Sequence, residues 1–285
     1  MMLWIIFFVT ITCMLIIDLY VVGRHKHDMT LKESLFWTAV WISLAMLFNI
    51  GIWYSLGATP ALNFFAGYAL EKALSVDNLF VFLMIFSYFK VTGLQQRKIL
   101  IYGILGALVM RACFIFMGIA LIEKFHWIIY IFGAVLLVSG LKLCTGIEKD
   151  IKIEKNFILN ITKRFFPKIS TFLLVLIIVE ATDIVFAIDS VPAVLSITSD
   201  PFIVFTSNVF AILGLRALYF LLSGIMPMFK YLHYGLGGVL TFIGTKMLIS
   251  HWIHIPIGIS LGVILTFISG SILISVISEK KKKQA

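Results

Sequence analysis

The chain has 285 residues, of which 61% are hydrophobic, 14% are aromatic and only 13% are charged. This composition excludes an ordinary soluble domain and is typical of an integral membrane protein. The formal net charge of +9 does not indicate nucleic-acid binding, because most of the excess Lys and Arg lies in the connections between apolar segments, where it sets membrane orientation.

Nine apolar segments are long enough to cross a bilayer, which takes about 20 residues for roughly 30 Å of hydrocarbon. They are predicted near 3–22, 35–56, 62–89, 98–122, 127–146, 170–197, 201–223, 230–250 and 255–277. Each should be an α-helix, because lipid offers no partner to open backbone groups and the alternating pattern of a membrane barrel is absent from the sequence. The first segment lacks a preceding basic residue and a cleavage site, so we expect a retained helix rather than a signal peptide.

Basic residues in alternate connections predict the orientation of these helices. Seventeen Lys and Arg residues fall on one side, many of them at 147–169 and in the carboxyl-terminal tail, against Lys124 alone on the other side. The amino terminus should therefore lie outside and the carboxyl terminus in the cytoplasm.

An internal repeat relates residues 62–146 to residues 170–250. The matched positions in the first two helices of each unit are Glu71 and Asp183, Asp77 and Asp189, Asn78 and Ser190, and Arg111 and Arg216. In the third helix, six identities from Tyr130 with Tyr234 to Lys142 with Lys246 share one offset of 104 residues. Each unit holds three helices, an odd number, so the second unit should be inverted in the membrane, as in many transporters.

The repeat divides the chain into five parts and gives the expected fold class. These parts are two peripheral helices (1–61), the first unit (62–146), a basic cytoplasmic loop (147–169), the second unit (170–250), and a last helix with a basic tail (251–285). We predict an all-α integral membrane protein of about nine transmembrane helices with an inverted 3+3 helix repeat.

Five carboxylates lie in two of the most apolar stretches of the chain: Glu71, Asp77, Glu180, Asp183 and Asp189. A charged side chain at bilayer depth is costly and seldom occurs there without a function, which makes a cation site the leading hypothesis. Oxygens of Ser75, Asn78, Ser190 and Asn208 would complete an all-oxygen ligand set suited to Mn²⁺, Mg²⁺ or Ca²⁺. No His or Cys lies near these acids in the sequence, which argues against zinc or copper.

A straight helix cannot direct all these acids to one point, because Asp77 and Asp189 lie about 120° round from Glu71 and Asp183. Either the helices unwind locally, as Pro192 would permit, or different acids serve different partners. We expect a mixture of the two. Asp77 and Asp189 are the first candidates for metal ligands, with Glu71 and Asp183 completing the shell or carrying protons.

The basic residues within the spans have expected roles of their own. Arg111 and Arg216 should each neutralise an acid, while Lys72 should extend outward to the interface. Asp18, near the inner end of the first helix, should lie near Arg24 or water. The same acids and arginines could instead be ion pairs that join helices in a protein that transports nothing.

Cysteine chemistry and proteolysis are not indicated by the sequence. Cys13, Cys113 and Cys144 are solitary, which predicts neither disulfides nor thiol redox chemistry. The GxGD motif of intramembrane aspartyl proteases is missing, and we expect no enzymatic activity.

Three segments resemble the signature segments of the TerC family, and in particular its Alx-type members. They are EKALSVDN at 71–78, VEATDIVFAIDSVPAV at 179–194 and TSDPFIVFTSNVFAILGLRALYFLL at 198–222. The resemblance implies a multi-pass protein of the bacterial inner membrane, linked to tellurite resistance and, in Alx-type members, to manganese export. Some members are also described as redox modulators. The loop at 147–169 is shorter than expected of Alx-type members, which places any regulation by that loop in doubt.

Carried over position by position, the resemblance implies a metal site. Its residues are Glu71, Asp77, Asn78, Glu180, Asp183, Asp189 and Ser190, with Arg111 and Arg216 as charge-compensating groups. We therefore expect an exporter of divalent cations, Mn²⁺ foremost, that works by alternating access, can exchange protons for metal and needs no prosthetic group. The alternative is a TerC-type membrane scaffold in tellurite or metal stress resistance, or a redox modulator, without transport.

Overall fold

The computed structural model of the protein describes residues 2–18, 30–125, 127–145, 169–225, 231–253 and 255–284, without the side chains of Asp77, Phe80, Ile225 and residues 279–284. These ranges form ten helices and no strand. The helices are α1 (Met2–Ile17), α2 (Leu31–Leu56), α3 (Ala58–Tyr88), α4 (Gly93–Lys124), α5 (Ile128–Thr145), α6 (Thr171–Leu195), α7 (Pro201–Ile212), α8 (Leu215–Ile225), α9 (Leu232–Leu248) and α10 (Ile257–Gln284). The predicted basic loop at 147–169 lies almost wholly outside the described residues.

Several helices begin at residues whose side chains satisfy the first free N–H groups. Thr30 and Glu33 form a capping box at the start of α2, with the Glu33 N–H donating to Thr30 Oγ1 at 3.3 Å and the Thr30 N–H donating to Glu33 Oε2 at 2.9 Å. Ser170 caps α6, and Asp200 caps α7 with Pro201 in the first turn. These local signals fix where the apolar helices start.

Every one of the nine predicted spans overlaps a described helix, but the spanning prediction is supported only in part. By length and composition, five helices can each cross a membrane: α2, α4, α5, α6 and α10. The pair α7 and α8 makes a sixth if it is counted as one bent span. Helices α1 and α9, with 16 and 17 residues, are shorter than a typical span.

The segment predicted as one helix at 201–223 is instead broken in two. α7 ends at Ile212, α8 begins at Leu215, and their axes differ by 45°. Gly214 between them has φ +81°, and a Cβ there would meet Trp41 Cδ1 of α2 at 2.5 Å. Only glycine suits both the left-handed backbone and the close approach of Trp41.

Unwinding near Pro192, which the sequence permits, is not found. α6 runs without interruption from Thr171 to Leu195 and includes Pro192. In the second unit, the apolar segment at 170–197 therefore stays continuous, and the break lies in the next segment, at 201–223.

The helices of the two repeat units pack against each other in matching pairs. α3 packs on α7, α4 packs on α6, and α5 packs on α9. Glycines bring α5 and α9 close together: a Cβ on Gly140 would lie 2.5 Å from the Thr241 backbone nitrogen, and one on Gly244 would lie 2.5 Å from the Leu137 backbone nitrogen. These two contacts are equivalent under the repeat, because residues 140 and 244 are 104 positions apart, and so are residues 137 and 241.

Candidate functional site

Three helices meet at the guanidinium of Arg111, near the middle of α4. This side chain is 2% exposed and forms ion pairs with Glu71 of α3 and Asp183 of α6. Its Nη1 donates to Glu71 Oε1, while Nε and Nη2 donate to the two oxygens of Asp183 at 3.3 and 3.2 Å. Because Glu71 and Asp183 also lie near the middle of their helices, the cluster sits deep within the bundle.

Two neutral side chains complete the hydrogen bonds of this cluster. Ser190 Oγ accepts from Arg111 Nη1 at 3.3 Å, and Asn208 Nδ2 of α7 donates to Glu71 Oε2 at 3.0 Å. Glu71 and Asn208 are fully buried, so their hydrogen bonds are shielded from solvent. We call Glu71, Arg111, Asp183, Ser190 and Asn208 the central cluster.

Unused oxygen atoms lie beside the central cluster. Asn208 Oδ1 and Ser75 Oγ are buried without a hydrogen-bond partner. Ser75 follows Glu71 by one helical turn, and Asn78, which is 4% exposed, continues the same stripe. A buried oxygen without a donor costs free energy, and a cation that enters the cluster could use it as a ligand.

The charges of the central cluster do not cancel. Two carboxylates and one guanidinium leave a formal charge of −1, whereas two carboxylates and one divalent cation would be neutral. A buried ion pair is stable only when its partners compensate the loss of hydration, so a residual charge at this depth favours the ion that removes it.

Glu180, another predicted site residue, lies one helical turn before Asp183 but does not bind Arg111. Its carboxylate packs against Gly106 of α4, where it leaves no room for a Cβ, and its Oε2 is buried without a hydrogen-bond partner. Glu180 therefore lies beside the central cluster with one carboxylate oxygen that accepts no hydrogen bond.

Asp77 and Asp189 are the two predicted acids that remain. Asp189 is partly buried and accepts a hydrogen bond from Ser139 Oγ of α5 at 2.9 Å. The side chain of Asp77 is outside the described residues, although its backbone belongs to α3. Of the five acids, the described structure thus joins Glu71 and Asp183 through one shared arginine. Across the described residues, no three His, Cys, Asp or Glu side chains are arranged to share a metal ion.

The second arginine, Arg216, has a partner that the sequence analysis did not find. Its Nη2 lies 3.0 Å from Asp18 Oδ1 and also donates to the Asp18 carbonyl oxygen. Arg24, the partner expected for Asp18, lies outside the described residues. Residues 18 and 216 are far apart in sequence, and no local pattern predicts that the residue after α1 meets α8.

The expectation that Lys72 extends outward was also wrong. Its Nζ donates to the carbonyl oxygens of Ala211 and Leu213, at 3.1 and 3.4 Å. The last carbonyls of a helix have no partner within it, and the break after α7 exposes such groups deep in the bundle. Gly214 in the centre of an apolar segment was the signal for this break.

The comparisons with known proteins agree with a membrane protein. Residues 56–283 match the family described as "Integral membrane protein TerC family". A relative from Escherichia coli (strain K12), named "Putative membrane-bound redox modulator Alx", is 47% identical over 92% of this chain and 90% of its own length. A Photorhabdus laumondii relative of the same name is 45% identical over 99% of this chain and 96% of its own length.

A third relative comes from Myxococcus xanthus and is named "Uncharacterized membrane protein STKORF319". It is 43% identical over 98% of this chain and 93% of its own length. No solved structure matches the chain.

Proposed function

The chain belongs to the TerC family of integral membrane proteins, and we propose that it exports divalent metal cations, Mn²⁺ foremost, across the bacterial inner membrane. The observation on which the proposal rests is the central cluster. Glu71 and Asp183 come from equivalent positions of the two repeat units and share one cationic group deep in the bundle. This is where transporters built from repeats bind their ions.

The packing of the units supports a repeat whose two units exchange places, and we propose that this repeat is inverted. Exchange of the units converts the Gly140 contact with Thr241 into the Gly244 contact with Leu137, and it converts the α3–α7 pairing into the α6–α4 pairing. Two units related in this way can rock about a central site and expose it to each side in turn. The basic connections orient the amino terminus outward and the carboxyl terminus toward the cytoplasm.

Arg111 gives this site a resident cation, which the transported ion replaces. When a divalent cation arrives, Glu71 and Asp183 exchange the guanidinium for the metal, and Arg111 must turn away from the two carboxylates, because they and the metal are neutral together only without its charge. Ser190, Ser75 and Asn208 supply further oxygen ligands. Return of Arg111 to the two carboxylates then favours release of the ion.

The acids outside the central cluster have supporting roles in this proposal. Glu180, Asp77 and Asp189, together with Asn78, provide oxygens along the route of the ion, and the three carboxylates can take up protons as it leaves. The donors are all oxygen, which suits Mn²⁺, Mg²⁺ and Ca²⁺ and disfavours soft metals. Mn²⁺ is the cation to test first, because the resemblance to Alx-type proteins implies it.

Transport can be tested with purified protein in liposomes that hold a manganese-quenched dye. The wild type should carry Mn²⁺ across the membrane, and Asp183→Asn should reduce the rate at least tenfold. Asp200→Asn is the matched control, because Asn retains the cap at the surface end of α7 and should leave the rate unchanged. A well-folded wild type without flux would contradict the proposal.

A membrane scaffold without transport is the second candidate. The observation in its favour is that Glu71, Arg111 and Asp183 already satisfy one another as a buried ion cluster, which could serve packing alone. Such a protein would give no flux in the same liposomes. A redox role has less support, because Cys13, Cys113 and Cys144 are all free, on three different helices.

A further inference from the structure

The two halves of the broken span α7–α8 are attached to the bundle in different ways. α7 is fixed to α3 at two successive residues, since Asn208 donates to Glu71 and Lys72 donates to the carbonyls of Ala211 and Leu213. These bonds end at the break. α8 begins immediately beyond it, packs against α2 and α3, and is joined by the ion pair of Arg216 to Asp18, the residue that follows α1.

The break has the backbone of a hinge. Leu213 is extended, with φ −61° and ψ 133°, and Gly214 has φ +81°. Hinges are a few residues at the ends of helices that absorb large changes in backbone angle. α8 can therefore turn about Leu213 and Gly214 while α7 stays fixed to α3.

The attachment of α8 to α1 is weaker than that of Arg111 to its acids. The Arg216 guanidinium is 1% exposed but bonds to Asp18 through Nη2 alone, and its Nε and Nη1 are buried without hydrogen-bond partners. Arg111 uses all three of its nitrogens. Unpaired buried donors lower the stability of the closed arrangement, so this contact is the easier of the two to open.

A cavity gives α8 room to move. Its volume is about 410 Å³, and it lies between α8, the end of α3 and the start of α4. Tyr219, Phe220 and Ser223 line it from α8, opposite Phe86, Ser87 and Gln96. α8 is joined across it by Tyr219, whose Oη donates to Gln96 Oε1 at 3.3 Å and whose ring packs edge to face on Phe86 with centroids 5.5 Å apart.

An apolar seal separates this cavity from the central cluster. Along α3 the order is Glu71, then Leu79 and Phe82 in the seal, then Phe86 at the cavity, over about 22 Å at 1.5 Å per residue. Leu215 and Leu218 of α8 belong to the same buried apolar cluster as Leu79. A displacement of α8 would therefore open this seal.

We propose that α8 is the gate of the cation site on the side of the membrane where Asp18 lies. It turns about Leu213 and Gly214, the Asp18–Arg216 pair holds it closed, and its opening joins the cavity to Glu71. This inference rests on the proposed function, and it assigns to α1, which lies outside the repeat, the task of controlling access.

Thiol labelling tests the gate without measuring transport. The background has Cys13, Cys113 and Cys144 replaced by Ser. Leu79→Cys then places a single thiol in the seal. The control, Leu195→Cys, places it in another buried apolar cluster, at the carboxyl-terminal end of α6. The reagent is a water-soluble maleimide, applied to protein in nanodiscs. Introducing Asp18→Asn should accelerate labelling at position 79 at least tenfold and leave labelling at position 195 unchanged.

A double variant keeps the test valid if Asp18→Asn misfolds because Arg216 is left unpaired. Asp18→Asn with Arg216→Gln removes both charges and should give the same acceleration at position 79. No acceleration in a folded variant, or equal acceleration at both positions, would overturn the gate. Absence of Mn²⁺ flux from the wild type is a separate result, which would overturn the proposed function whatever the labelling shows.

Discussion

At the scale of single residues, the proposed transport depends on competition between Arg111 and a metal for the same two carboxylates. Arg111 binds Glu71 and Asp183, and a transported ion would have to take its place. A cation that is part of the chain is always present at high local concentration. It therefore lowers the apparent affinity for metal and makes release easier.

Replacement of Arg111 separates this role from a purely structural one. Arg111→Gln leaves two buried acids together without a cation, which should destabilise the metal-free protein by about 3–5 kcal/mol. Mn²⁺ should restore much of that loss, so its addition should raise the melting temperature of Arg111→Gln more than that of the wild type. Thermal unfolding in detergent, with and without MnCl₂, measures both effects.

The result that contradicts this role is a variant whose melting temperature falls and does not respond to Mn²⁺. Such a protein would have lost a packing group only. Arg111→Lys is the matched control, because it keeps the charge while losing the paired geometry of the guanidinium.

Whether the role of each residue could be predicted depends on whether its signal lies within one helix or in the contact between two helices. The acids stand out because ionised groups are rare in apolar helices, and the repeat relates Glu71 to Asp183 through the order of residues alone. The partner of Arg216 and the direction of Lys72 could not be found in this way. Both depend on which helix lies opposite, and helical periodicity gives the face of a residue but not its neighbour.

At the scale of helices, the break between α7 and α8 is the feature that sequence patterns missed. The hydropathy of residues 201–223 indicates one apolar segment. It does not register the backbone of a single residue, Gly214, whose φ is +81°. The starts of α6 and α7 lie within one residue of the predicted starts at 170 and 201, and the residues that cap them, Ser170 and Asp200, are adjacent in sequence.

Gly214→Ala tests whether the break is built into the fold. An added Cβ meets Trp41 and requires a left-handed backbone, so we expect destabilisation by about 2 kcal/mol or more. Gly262→Ala in α10 is the control, since a Cβ there has no atom within 4 Å and alanine favours the helix. Melting temperatures of the two variants give the comparison, and equal values would mean that residues 213–215 do not need this conformation.

At the scale of the whole molecule, the two units meet so that one acid from each reaches the same point. The matched glycine contacts of α5 and α9 and the matched pairs of α3 with α7 and α4 with α6 all fit that exchange. The contacts of the two arginines are not related by this exchange of units. Arg111 binds an acid from each unit, whereas Arg216 binds Asp18, the residue after α1. In the proposed mechanism, one arginine serves the ion site and the other serves access to it.

Direct measurement of Mn²⁺ binding tests this account most closely. Electron paramagnetic resonance of Mn²⁺ titrated into the purified protein distinguishes free from bound ion and gives the number bound per chain. We predict one site in the wild type and in Asp200→Asn, with binding weakened at least thirtyfold in Glu71→Gln and in Asp183→Asn. Unchanged binding in those two variants, or no binding by the folded wild type, would contradict the claim that these carboxylates hold the transported ion.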